Sequence, residues 1–240
     1  MKVAKNVSRE LKALAEPAKA LVLARFFKTG KGEYGEGDVF YGISVGQTRS
    51  VARKHARQAA LEDVRALLHS RVHEERLAAL LILVDNFHKA EAGEKKRIFD
   101  FYLRNAKRAN NWDLVDLSAH RIVGAYLHER AGKKESMRFL KKLAQSESVW
   151  ERRIAVLATF QFISKGDCEP ALAIATVLLH DQHDLIRKAV GWMLREVGKR
   201  CSEKKLLAFL DEHAARMPRV ALRYAIERLP EHDRKRYLKA

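Results

Sequence analysis

Residues 153–160 read RIAVLATF: a large polar residue, a variable position, a small residue, then an apolar run. The same order recurs in RLAALLILV from Arg76, DLSAHRIV from Asp116, RKAVGWML from Arg187 and RVALRYAI from Arg219. Successive starts are about 40, 37, 34 and 32 residues apart. A drifting period of that size, with two helices per unit, fits HEAT- or armadillo-like repeats. One such unit cannot bury its apolar face alone, so stacked units share a continuous core. The expected fold is all-α: an α-solenoid of HEAT/armadillo-like helical repeats, a single domain over residues 1–240, with a concave basic face.

The rest of the chain agrees with that pattern. Helical periodicity covers 7–28, with Pro17 as a break, and resumes over 48–69. Shorter helices are expected at 73–89, 94–108, 111–130, 133–145, 149–164, 169–180, 183–200, 203–213 and 217–229. Asn110 and Asn111 before Trp112, Ser148 before Trp150, and Asp184 supply start signals. The one long Gly-rich stretch is TGKGEYGEGDVFYGISVGQ, residues 29–47, read as a loop that touches a ligand. Only 4 Pro and 12 Gly in 240 residues disfavour an all-β chain.

Charge narrows the partner. There are 47 basic against 30 acidic residues, net +17, spread along the whole chain. A folded domain this basic is most simply matched by a polyanion. No apolar run approaches the roughly 20 residues that span a bilayer, and no basic amphipathic anchor helix stands out. The N-terminal stretch is charged throughout and lacks a signal-peptide core. Two cysteines, Cys168 and Cys201, read as free thiols in a reducing compartment. A bacterial-type cytosol or nucleoid is the expected location. Metal-ligand spacings, a P-loop, a dinucleotide fingerprint and a GxSxG elbow are all absent, so no metal and no cofactor is expected.

Four of the five repeat starts are arginine; the exception is Asp116. Equivalent positions in stacked repeats line one face. Arginines there suit an anion, and a lone carboxylate among them is a candidate for chemistry. Trp112 lies four residues before Asp116, one helical turn away. A structural ion pair, for instance with Arg153, is the alternative reading of Asp116. Arg76, Arg187 and Arg219 are phosphate-contact candidates, each with a repeat-to-repeat salt bridge as the equal alternative. On the 184–199 helix, Ile186, Ala189, Val190, Met193 and Val197 form the core stripe. Lys188, Trp192 and Arg195 follow a second stripe off that face. An indole between cations suits stacking on sugar or base beside phosphate. Trp150 reads as packing at its helix start, and Asp113 as a first-turn residue favoured by the helix dipole.

Several spaced motifs, in one order, are similar to a known family. YGEGDVFYGISVGQTRSVARK resembles its Gly-rich segment and following basic helix; NWDLVD resembles its WWDxVD motif; WERRIAVL its W-x-x-R-x-A motif; AVGWMLRE its A-x-G-W-x-L-R-E motif. MPRVALRYAIERLP is also typical of relatives. Together these resemble the AlkD family of HEAT-like-repeat DNA alkylation-repair glycosylases over most of the chain. The resemblance implies that Asp116 is the catalytic carboxylate, Trp112 and Trp192 aromatic walls around the lesion's deoxyribose, and Arg153 the phosphate-positioning cation. Arg76, Lys188, Arg187, Arg195 and Arg219 are the remaining DNA-contact candidates. The implied partner is double-stranded DNA containing alkylated purines, bound by a monomer with the base left in the stack. Two positions depart from the family pattern: Asn111 stands where a first Trp is common, and Gly46 where Pro is common. A non-catalytic repeat protein that binds nucleic acid or serves as a scaffold is the alternative.

Overall fold

Pro17 divides the N-terminal helical pattern as its fixed φ and missing N–H require. In the computed structural model, which describes residues 2–239, α1 spans Lys2–Ala13 and α2 spans Pro17–Phe26. After the Gly-rich loop come α3 (Val45–His55), α4 (Leu61–Leu68), α5 (His73–Lys89), α6 (Ala92–Arg104) and α7 (Trp112–Ala119). A π-turn, His120–Gly124, leads into α8 (Ala125–Arg130). Then follow α9 (Lys133–Ala144), α10 (Val149–Ser164), α11 (Glu169–Val177), α12 (Asp184–Arg200), α13 (Glu203–His213), α14 (Arg219–Ala225) and α15 (Glu231–Lys239). Among the described residues the only β feature is an isolated bridge between Val39 and Val72.

The expected single helix over 48–69 is in fact two, α3 and α4, with a short 3-10 turn at Ala56–Gln58 between them. The intervening QAA carries no breaker. Packing makes the bend, because α3 and α4 each lie against both α1 and α5. The observed start of α3 is also earlier than the expected 48. Ser44 and Gln47 form a reciprocal capping box that begins the helix at Val45.

Two compact units divide the chain, Met1–Ser118 and Ala119–Ala240. In the first, α5 is the core helix. Its run Leu77–Val84 is apolar all round and buried all round, as such a helix must be. In the second, α10 and α12 pack on each other, with α9 and α11 alongside α10 and α14 against α12. Gly191 permits the last contact: a Cβ there would sit 2.3 Å from the Ala221 carbonyl oxygen of α14. Cys168 and Cys201, distant in sequence, are free thiols that meet in this unit. Burial and the hydrogen bond to Cys168 push the Cys201 thiol up to about 11.

Candidate active site

Trp112 and Asp116 lie on the first two turns of a helical stretch that runs on through the π-turn into α8, so the contacts at its start set where they sit. Asn111, fully buried, accepts a hydrogen bond from the Trp112 N–H at 2.9 Å. Leu114, Val115 and Ser118 are buried, whereas Trp112, Asp116 and Leu117 are half-buried. Trp112 and Asp116 therefore share the edge where α7 meets solvent. Behind them, the Tyr102 hydroxyl lies 2.9 Å from Ser118 Oγ. Ser118 itself donates to the Leu114 carbonyl at 2.5 Å, so its single proton is used and Tyr102 is the donor. Burial raises the Tyr102 pKa well above its usual value, and the Asp116 charge adds to that rise. The carboxylate is thus electrostatically felt by the buried phenol below it.

An aromatic tray supports the indole. Phe27 stacks on Trp112 with centroids 5.2 Å apart and planes 22° apart, and Phe26 meets it edge-on at 5.8 Å. Phe27 in turn stacks on Phe40, and Phe40 on the His73 ring at 4.6 Å. Such pairs contribute about 0.5–1.5 kcal/mol each beyond area burial. Phe26 is 61% exposed, so the outer rim of the tray faces solvent.

The Gly-rich loop does not hang free beside this tray. The backbone N–H groups of Tyr41, Gly42 and Ile43 all donate to the buried Glu74 carboxylate, at 3.0, 2.9 and 3.3 Å. Gly42 has φ +85°, and a Cβ there would lie 2.2 Å from the Glu16 carbonyl, so only glycine fits. The Tyr41 hydroxyl donates to Glu75 at 2.8 Å. Arg76 is 3% exposed, pairs with Asp38 at 2.5 Å and donates to the Ser70 carbonyl at 3.0 Å. It takes the salt-bridge alternative: it ties α5 to the loop, with its two terminal nitrogens engaged by Asp38 and by the Ser70 carbonyl. Asp113 is more than a first-turn charge. It is buried and meets His73 Nε2 at 2.8 Å.

The second unit holds the other candidates. Arg153 is 5% exposed, and one of its Nη atoms donates to the Leu185 carbonyl at 2.6 Å, tying α10 to the first turn of α12. Trp150 is buried at the start of α10, as its packing role requires. Trp192 is half-buried, off the core stripe of α12. Lys188 lies 2.7 Å from Asp184. Arg195 pairs with Glu227 and with Glu196. Arg187 donates to the Asp181 carbonyl at 2.6 Å and to Gln182 at 2.9 Å. Arg219 is exposed and donates to the Leu238 carbonyl. These cations hold their own chain as well as presenting charge.

The sequence reading missed Phe26, Phe27, Phe40, His73, Asp38 and Glu74. Two signals were present: the adjacent Phe pair at 26–27, and HEER directly before the apolar run of α5. An ordinary first turn would leave HEER in water; here all four residues are buried. Among the described residues no group of three His, Cys, Asp or Glu could hold a metal ion, and no helix is long and apolar enough to cross a membrane.

A solved structure from Enterococcus faecalis, described as a predicted DNA alkylation repair enzyme, superposes with TM-score 0.70 at 16% identity, over 90% of this chain and 97% of that one. AlkD2 from Streptococcus mutans superposes with TM-score 0.59 at 15% identity, over 88% and 98%. The family model for DNA alkylation repair enzymes matches residues 7–229. The chain belongs to the DNA alkylation repair enzyme family. No curated protein matches it.

Proposed function

We propose that this protein is a DNA glycosylase that removes cationic N3- or N7-alkylated purines from duplex DNA, as a monomer and without flipping the base. The observation that carries the reading is the shared edge of α7: an indole and a carboxylate one turn apart, both half-buried, on a helix anchored at its start. An alkylated purine already bears positive charge, so it leaves readily. Its departure builds an oxocarbenium-like sugar. An ionised Asp116 stabilises that cation and orients the attacking water. The Trp112 face adds cation–π attraction of about 0.5–2 kcal/mol. In the second unit, Trp192 is assigned a lesion-facing role and Arg153 a phosphate-positioning role; Lys188, Arg187, Arg195 and Arg219 supply basic charge toward DNA.

The test is release of free base from methylated duplex DNA under single-turnover conditions. Wild type is expected to release 7-methylguanine. Asp116→Asn is expected to lose about 10²- to 10³-fold in rate while binding DNA as before. Uracil, a neutral base and poor leaving group, should stay in place. Comparable release of uracil overturns the electrostatic mechanism. DNA binding without release of either base makes the protein a non-catalytic binder.

A further inference from the structure

His73 opens α5 and is 2% exposed, enclosed between two carboxylates and two aromatic rings. Nε2 meets Asp113 at 2.8 Å and Nδ1 meets Asp38 at 3.4 Å. An ionised carboxylate only accepts, so satisfying both contacts needs two N–H donors, which only the imidazolium provides. Phe40 covers the ring at 4.6 Å and Phe27 at 4.9 Å, and Phe27 lies against the Trp112 indole. Asp113 directly follows Trp112, and Asp38 belongs to the Gly-rich loop. The other Asp113 oxygen, Oδ1, is buried without a partner, so the bond to His73 is what holds this carboxylate. One side chain thus joins the loop, the head of α5 and the start of α7.

We propose that His73, kept as an imidazolium, is a positioning residue that fixes the Trp112 indole and, through the start of α7, the edge bearing Asp116. The assignment rests on the reading of that edge as the reactive one. The charged groups facing His73 are Asp113 from α7, Asp38 from the loop and Arg76 from its own helix. Burial alone would favour the neutral ring. The hydrogen bonds to Asp113 and Asp38 outweigh it and the opposing Arg76 charge, holding the imidazolium pKa above 6.5. A group raised on folding keeps its interactions at low pH and loses them as pH climbs through the folded value. The neutral ring has a single N–H, so one carboxylate then faces a lone pair and the clamp loosens.

The experiment uses the full chain labelled with 5-fluorotryptophan and followed by fluorine NMR from about pH 6 to pH 10, a range that spans imidazole titration. Absence of a peak in Trp112→Phe assigns the Trp112 resonance. That resonance is expected to shift in one step above pH 6.5, while those of Trp150 and Trp192 do not follow it. Asp113→Asn is expected to move the step to lower pH, since an amide no longer favours the imidazolium. Asp38→Asn gives the same direction and serves if the first variant does not fold. In single-turnover release of 7-methylguanine, the rate constant falls along the same alkaline limb with DNA affinity unchanged. His73→Asn removes the limb and lowers the rate about 10- to 100-fold. A merely structural His73 would change the melting temperature and leave both steps where they are. A Trp112 resonance flat across the range in wild type, or a step unmoved in both carboxylate variants, overturns the proposal. If wild type releases no base at any pH, the glycosylase reading fails, and the fluorine titration still decides the role of His73.

Discussion

Glu74 binds three successive main-chain N–H groups from inside the first unit. A carboxylate accepts at both oxygens; an amide of the same shape must turn an NH2 toward one of those donors. Glu74→Gln is therefore expected to cost about 1–3 kcal/mol, read as a lower urea midpoint. Tyr102→Phe removes the donor to Ser118 and should cost about 1 kcal/mol by the same measurement. At this scale the sequence was legible where helical phase alone places a residue. Trp112, Asp116 and Trp192 fall at the edges of apolar stripes, and all three are half-buried. Phase says nothing about the partner of a buried charge. Arg76, Arg153 and Arg219 share a repeat position, yet the first two are buried and the third is exposed, and Arg76 meets Asp38 only through the folded loop.

Among the helices, α12 shows how a local defect serves packing. Glycine in a helix interior costs about 1 kcal/mol against alanine. Gly191 nevertheless stands where α14 passes with its Ala221 carbonyl 2.3 Å from any added Cβ. Gly191→Ala should reverse the usual ranking and destabilise by about 1–3 kcal/mol, with loss of melting temperature as the readout. The same helix buries Glu196. Burial would raise its pKa, but hydrogen bonds from Arg200 and Arg195 outweigh that and lower it below 4.5. A depressed carboxylate stabilises the fold above its unfolded pKa, and that gain is lost as pH falls through the folded value. Melting curves of wild type and Glu196→Gln should differ at neutral pH and converge in acid. Helix limits were readable from period and caps, with α5 and α10 at their expected bounds. The division between α3 and α4 was not, because α1 and α5 impose it and no local breaker marks it. The helix α15 was missed too: EHDRKRYLK has almost no apolar stripe, with Tyr237 its one buried residue.

For the molecule as a whole, +17 on 240 residues suits a polyanionic partner, and the proposed binding to duplex DNA should weaken steeply with salt. Each neutralised phosphate contributes about 0.9 to the slope of log K against log salt. Lys188→Ala should lower that slope by about 1, and Arg76→Gln should leave it unchanged, since Arg76 is held inside. Filter binding over a salt series reads both. The linear chain by itself determined the all-helical class, the repeat order and the Trp112–Asp116 pair, because periodicity, caps and charge act over a few residues. Only tertiary structure decided that the Gly-rich loop is strapped to Glu74, that Arg76 is internal and that His73 sits between Asp38 and Asp113. Those partners lie about 31–40 residues apart, and contacts at such separations arise from how elements pack, which no local pattern encodes.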